Sequence, residues 1–193
     1  MGRQKWRGGA MLSPLPPAIV SCADGEKTNL ITVAWTGILS TIPPRTYISV
    51  RPSRHSHDMI EKSGEFVINL CTEALVREAD YCGTYTGAKV DKFKKCNLHP
   101  LPSTEVACPS LAESPLSLEC RVFEVKRLGS HDMYLADIVA VTVDDSLIDE
   151  GGRLRLDRAG LCAYSHGEYF ALGKRLGKFG FSAAKKKKPP KRK

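Results

Sequence analysis

Four stretches of this sequence carry side chains able to hold an anion or a flat ring. The first is Arg51-Pro52-Ser53-Arg54-His55-Ser56, which follows a strand-like run and opens a predicted helix. A helix start offers unsatisfied N–H groups and a partial positive charge. Two guanidiniums and the hydroxyls of Ser53 and Ser56 turn it into a seat for a phosphate monoester. The same residues also suit an ordinary capped helix with solvated arginines. The second stretch is Asn29-Leu30-Ile31-Thr32-Val33-Ala34-Trp35-Thr36-Gly37. Polar Asn29, Thr32 and Thr36 interrupt apolar neighbours, and small Ala34 and Gly37 would let a ring approach the backbone closely. The plainer reading is a half-buried strand with Trp35 in the core. In the third, Gly83 and Gly87 bracket a tight excursion ahead of Asp91-Lys92-Phe93. Lys92 can hold an anion or a ring carbonyl there, or simply belong to a solvated helix surface. The fourth, Tyr164-Ser165-His166-Gly167-Glu168-Tyr169, precedes Gly173, Gly177 and Gly180. His166 by itself reads as a structural histidine.

Other chemistries lack their motifs. No G-x-G-x-x-G follows a strand, and no Walker-type loop, H-E-x-x-H or G-x-S-x-G occurs. The histidines at 55, 57, 99, 131 and 166 have no tight ligand spacing, so no metal site is expected. The seven cysteines never approach C-x-x-C, and their odd number argues against a closed disulfide framework. They read as small buried hydrophobes. The chemistry must therefore come from a cofactor or a partner, and no side chain is singled out as catalytic.

The elements that must position these residues are mostly strands. The chain has 193 residues, 42% hydrophobic and 26% charged, proportions of one ordinary globular domain. Strand-like runs occur at 18–22, 30–35, 47–50, 66–70, 118–122 and 134–143, with a turn signal at Asp24-Gly25 that makes the first two a hairpin. Helices are few and short: 54–63 capped by Ser53 and ended by Gly64, 73–82 between Thr72 and Gly83, and 88–95. Six short strands without alternating helices predict a barrel or sandwich and disfavour a doubly wound sheet. The net charge of +8 lies almost wholly in residues 185–193, which carry seven positive charges and no negative one. Such a tail reads as a solvated extension, or as a nuclear-import or phosphate-backbone patch. No stretch approaches the ~20 apolar residues of a membrane span, and the start lacks the apolar core of a secretory signal. A cytoplasmic protein without membrane contact is expected.

Taken in order, these segments resemble the flavin reductase-like family of FMN-binding split-barrel proteins, which includes the flavoredoxins. The resemblance rests on residues 51–56 with Phe66-Val67-Ile68-Asn69-Leu70 behind them, on Gly87-x-x-x-Asp91-Lys92-Phe93, on Leu128-Gly129-Ser130-His131-Asp132, and on residues 164–169 leading to Leu172-Gly173. It implies a mainly β fold, a six-stranded antiparallel split barrel with a few short helices over residues 16–182, between a poorly ordered lead (1–15) and the basic tail (183–193). It also implies a homodimer holding FMN noncovalently near the subunit interface. By similarity the phosphate sits against Arg51, Ser53, Arg54 and Ser56. Asn29, Thr32, Ala34 and Trp35 run along the isoalloxazine, Gly83 and Lys92 approach its other flank, and His166 and Tyr169 border the ring or come from the partner subunit. The activity implied is that of an oxidoreductase in which NADH or NADPH gives hydride to flavin N5 and the electrons pass to a small-molecule or protein acceptor. Lys92, or a backbone amide, would then stabilise charge at N1 and the C2 carbonyl. A flavoredoxin-type electron carrier without nicotinamide specificity is the nearest alternative. Pyridoxamine-phosphate-oxidase-like chemistry matches less well, and nucleic-acid binding through the tail is a reading of a different class.

Overall fold

The computed structural model describes residues 1–183, so the basic run 185–193 lies outside the described residues. Strands β1 (Ala18–Asp24), β2 (Lys27–Val33), β3 (Thr36–Thr41) and β4 (Pro44–Val50) come first. Helix α1 (His55–Ser63), strand β5 (Glu65–Leu70), and helices α2 (Val76–Thr84) and α3 (Lys92–Cys96) follow. The short pair β6 (Pro100–Leu101) and β7 (Ser110–Leu111) precedes the long strands β8 (Leu116–Arg127) and β9 (Asp132–Val143), and a last hairpin is formed by β10 (Cys162–Ser165) and β11 (Glu168–Ala171).

Seven strands form one antiparallel sheet in the order β2-β1-β5-β8-β9-β4-β3. Its two edge strands, β2 and β3, are neighbours in the chain with only Ala34 and Trp35 between them. The sheet must therefore curl until its edges approach each other, and the Ser49 N–H, donating to the Trp35 carbonyl at 2.9 Å, carries the β3–β4 pairing back to the connection itself. The fold is a mainly β split barrel.

Both faces of β1 are covered, which is why Ala18 to Ala23 are all buried. Inside the barrel, Val20, Cys22, Ile48, Val50, Phe66 and Tyr134 pack with Met59 and Ile60 of α1. On the outside, Ile19 and Leu30 pack under Leu75, Ala79 and Cys82 of the α2 region. Six of the seven cysteines are buried and all are free. Burial pushes the Cys22 thiol up to about 11 and that of Cys82 up to about 12, so they serve as packing groups.

The sheet holds one strand more than the six expected. Strand β3 exposes Ile38 and Leu39 on an edge and carries a bulge between Ile38 and Ser40, so it shows no clean period of two. Strand β2 begins at Lys27 and stops at Val33, which leaves Ala34 and Trp35 as the connection. Helix α1 is capped by Arg54 rather than Ser53, with extended backbone and no side-chain cap bond, and Gly64 ends it as expected at φ 67°. The second helix begins as a 3-10 turn over Glu73–Leu75 and runs through Gly83 to Thr84. The third is shorter than expected, because Asp91 caps it by accepting the Lys94 N–H at 3.1 Å.

One buried carboxylate ties the 103–108 loop to the sheet. Glu119 is wholly buried and accepts N–H bonds from Thr104 at 3.0 Å and Glu105 at 2.7 Å. Burial raises its pKa, but these bonds more than offset that and hold it below the ordinary carboxylate range. A group depressed in this way stabilises the fold above its unfolded pKa and loses that contribution as pH falls through its folded value. Glu119→Gln should lower stability at neutral pH by about 1–3 kcal/mol. It should also flatten the acid-side decline, both read from urea denaturation at a series of pH values.

Candidate functional site

A cleft of about 360 Å³ opens where the barrel edges meet. Its floor is Ile31, Thr32 and Val33 of β2 with the Ala34-Trp35 connection; Ser49, Val50 and Arg51 come from the end of β4, and Arg54 from the start of α1. Asp80, Gly83 and Thr84 of α2 form one wall, and His131, Tyr164, Gly167 and Tyr169 complete it. Helix α2 can lie close on β2 because Gly83 has no side chain: a Cβ there would stand 3.3 Å from the Thr32 Cβ. The Thr32 hydroxyl donates to the Ala79 carbonyl and fixes the contact.

Beyond Ile31 and Arg54, which line both spaces, lies a smaller hollow formed by Asn29, Ser56, Thr86, Gly87 and Lys92 among others. The Asn29 amide donates to the Ser56 hydroxyl at 2.8 Å, and Ser56 is buried. Lys92 is only 4% exposed, and its Nζ donates to the carbonyls of Leu30 at 2.6 Å and Cys82 at 2.7 Å. Among the described residues no carboxylate lies within 4.0 Å of Lys92, Arg51 or Arg54. A buried cation without a counter-charge is costly, and burial accordingly pushes the Lys92 pKa down. The first turn of α1, with no side-chain cap, opens beside it.

The structure thus brings Thr32, Ala34, Trp35, Arg51, Arg54, Gly83 and Tyr169 into the cleft, and Asn29, Ser56 and Lys92 into the adjoining hollow with Arg54. Lys92 belongs neither to a solvated helix surface nor to the cleft lining; it reaches inward because α3 packs on β2. Ser53 lines neither space. It lies exposed in the turn before α1, since the cap falls one residue later. His166 is also exposed and outside both. With Gly167 it makes the two-residue turn of the β10–β11 hairpin, at φ 51° and 94°, the twist such hairpins require. Its neighbour Gly167 lines the cleft instead.

Among the lining residues not singled out from the sequence are His131, Asp80 and Tyr164. His131 and Tyr164 stand inside motifs that carry the family resemblance, which was the available signal; Asp80 had none. The His131 ring lies 4.3 Å from that of Trp35, tilted by 55°. Burial, reinforced by the Arg51 charge, holds its pKa below the ordinary histidine value. Its Nδ1 pairs with the Ser130 hydroxyl at 3.0 Å, and among the described residues Nε2 has no hydrogen-bond partner. The site is therefore polarised, with cations and N–H groups at one end and Trp35, His131, Tyr164 and Tyr169 around a flat slot.

The slot, with cations at one end, lies on a mainly β split barrel. The family described as flavin reductase like domain matches residues 11–173, and the chain belongs to it. Among curated proteins it is 35% identical to an uncharacterized protein of Archaeoglobus fulgidus over 124 residues, 64% of this chain and 70% of that one. It is 25% identical to an NADPH-flavin oxidoreductase of Streptomyces viridifaciens over 137 residues, 69% of each. Among solved structures it resembles the flavoredoxin of Desulfovibrio vulgaris (Miyazaki F) with a TM-score of 0.87 and 27% identity, covering 95% of this chain and all of that one. No helix among the described residues is long and apolar enough to cross a membrane.

Gly87 supplies a test of the hollow that needs no ligand. A Cβ there would come within 2.1 Å of the Asn29 side-chain oxygen, so Gly87→Ala must displace Asn29 and break its bond to Ser56. We expect a loss of about 1–3 kcal/mol, the usual cost of overpacking, measured by chemical denaturation. The far-UV spectrum should stay that of the parent.

Proposed function

We propose that the protein is an FMN-dependent oxidoreductase of the flavin reductase type, reduced by NADH or NADPH and reoxidised by a small-molecule or protein acceptor. The observation that carries this reading is the buried Lys92 ammonium. It has no counter-charge among the described residues, and it lies beside Arg54, Ser56 and the uncapped start of α1 at the end of a flat cleft. That donor set suits a terminal phosphate dianion, and the cleft volume lies in the range of small-molecule sites. Arg51 and Arg54 neutralise the dianion, while Asn29 orients the Ser56 hydroxyl toward it. Ala34 and Gly83 leave the close approach that a flat ring requires, and Trp35 and Tyr169 cover its faces. When bound, FMN supplies the redox chemistry by accepting hydride and returning electrons one or two at a time. The unpartnered His131 Nε2 is the chain's own group able to donate to, or accept from, a molecule entering the slot.

A homodimer belongs to the same reading. Ile38 (64% exposed) and Ile42 (92% exposed) lie on or beside the open edge of β3, next to the cleft entrance at Trp35. An apolar edge of this kind calls for cover by a second copy. The likeness to a flavoredoxin favours one second reading, a carrier that exchanges electrons with proteins and has little nicotinamide activity.

Two measurements test these readings. Titrated with FMN, the wild-type protein should turn yellow. Lys92→Met and Arg54→Ala should each weaken FMN binding by about ten-fold or more, the cost of a charge-assisted bond, and Arg54→Ala should leave riboflavin binding unchanged. Folded wild-type protein that takes up no FMN, or an Arg54→Ala variant that loses FMN and riboflavin equally, would overturn the assignment. Stopped-flow mixing of the flavin-loaded protein with NADH or NADPH should bleach the flavin band on the timescale of turnover. Bleaching only by a reduced protein donor would establish the carrier instead.

A further inference from the structure

A cluster of charged groups built on the buried Asp132 and His57 lies outside the cleft lining. Asp132, the first residue of β9, is 4% exposed. Its Oδ2 meets His57 Nε2 at 2.8 Å and also accepts from Arg127. The other ring nitrogen of His57 lies 3.1 Å from Asp58, and the Tyr134 ring stands edge-on to the imidazole at 5.7 Å. Arg127 reaches on to Glu61, which accepts the Tyr134 hydroxyl at 3.0 Å. The cluster fastens α1, β8 and β9 at one point. Burial raises the Asp132 pKa, but the bonds from His57 and Arg127 win, and the carboxyl lies below its ordinary value.

The position of this clamp gives it a consequence for the cleft. Asp132 pairs with Val50 across β4 and with Arg127 across β8. Val50 lines the cleft and is followed by Arg51 at its cationic end. His131 precedes Asp132 and packs on Trp35. One carboxylate therefore sits between the strand that delivers Arg51 and the residue that walls the slot. A fully satisfied ionic network selects a single arrangement more sharply than apolar packing, which tolerates sliding.

We propose that Asp132, held by His57 and Arg127, is a positioning residue of the cleft. It keeps His131 against Trp35, and the backbone at Val50 and Arg51, in one fixed relation. The proposal rests on the cleft being the flavin site.

The ring pair at the cleft mouth reports on this arrangement without any cofactor. Protonated imidazole quenches indole emission, and the chain has two tryptophans, so a Trp6→Phe background leaves Trp35 as the sole indole. The groups facing His131 are Arg51, Asp132, the Ser130 hydroxyl and Trp35 itself. In that background emission should rise with pH as His131 loses its proton, and His131→Gln should abolish the change. His57→Gln and Arg127→Gln keep the Asp132 charge but loosen its grip. Each should cut the amplitude of the titration by about two-fold or more, because the rings no longer hold contact. Each should also weaken FMN binding by about ten-fold. A purely through-space effect would move the midpoint and leave the amplitude intact. Should His57→Gln unfold, Arg127→Gln, with a side chain 54% exposed, carries the comparison. Amplitudes equal to the background in the folded variants would overturn the proposal. Absence of FMN uptake by the wild type would instead sink the functional reading, and the emission titration would still decide the positioning role.

Discussion

The fold depends on a short tether. Strands β2 and β3 stand at opposite edges of a seven-stranded sheet, yet the chain allows only Ala34 and Trp35 to join them. Two intervening residues give three Cα steps, at most about 11 Å, against the six inter-strand spacings, about 28 Å, that would separate the edges of a flat seven-stranded sheet. A flat sheet of this order is therefore impossible, and curling follows from connectivity alone. The seam where the edges approach cannot be a regular ladder, because Ala34 and Trp35 are spent on the crossing. That seam is the cleft. Trp35 stands at its mouth for the same reason, since the tether that closes the barrel carries the largest ring of the site.

What fills the seam is decided by charge. The seat end collects Arg51, Arg54 and Lys92, and the buried member of the three, Lys92, is held by two backbone carbonyls rather than a carboxylate. Carbonyl dipoles lower the cost of burying an ammonium but leave its charge unneutralised. In the proposed reading an anion entering the hollow would complete the pairing. The same lysine bonds β2 through Leu30 and α2 through Cys82, so the group proposed to receive the anion also fastens two walls of the cleft. Affinity and geometry are coupled through one side chain.

Parts of this were legible in the residues and parts were not, for physical reasons. Strands β1, β5 and β9 are buried on one or both faces, and their apolar content declares them; Gly64 stops α1 because a left-handed C-cap needs it. Strand β3 escaped because it lies at an edge, with Ile38 and Leu39 outward and a bulge between Ile38 and Ser40. Lys92 sits among Asp91, Lys94 and Lys95, a run that reads as solvated surface, and its burial depends on carbonyls supplied by distant segments. His131 is marked in sequence only by its place in the Leu128–Asp132 segment, and its contact with Trp35 is supplied by the fold. Ser53 and His166 show the converse: a residue type suited to the chemistry, one position away from the backbone geometry that would have used it.

The site also combines two mechanical regimes. The Asn29, Ser56 and Lys92 end is built of buried, mutually bonded groups with a glycine at the one position where a side chain would intrude. The opposite end is formed by a two-stranded hairpin tied to the rest through the Leu15–Tyr164 and Thr72–Leu161 bridges. Few tertiary bonds and an exposed turn make such a hairpin the element of lower local stability. In the proposed reading a ligand anchored by its anion would rest at the rigid end and meet the hairpin carrying Tyr164, Gly167 and Tyr169 at the other. For the redox role proposed above, a firm seat at one end of the slot and a less firmly tied cover at the other would let a donor and then an acceptor reach one face of the ring.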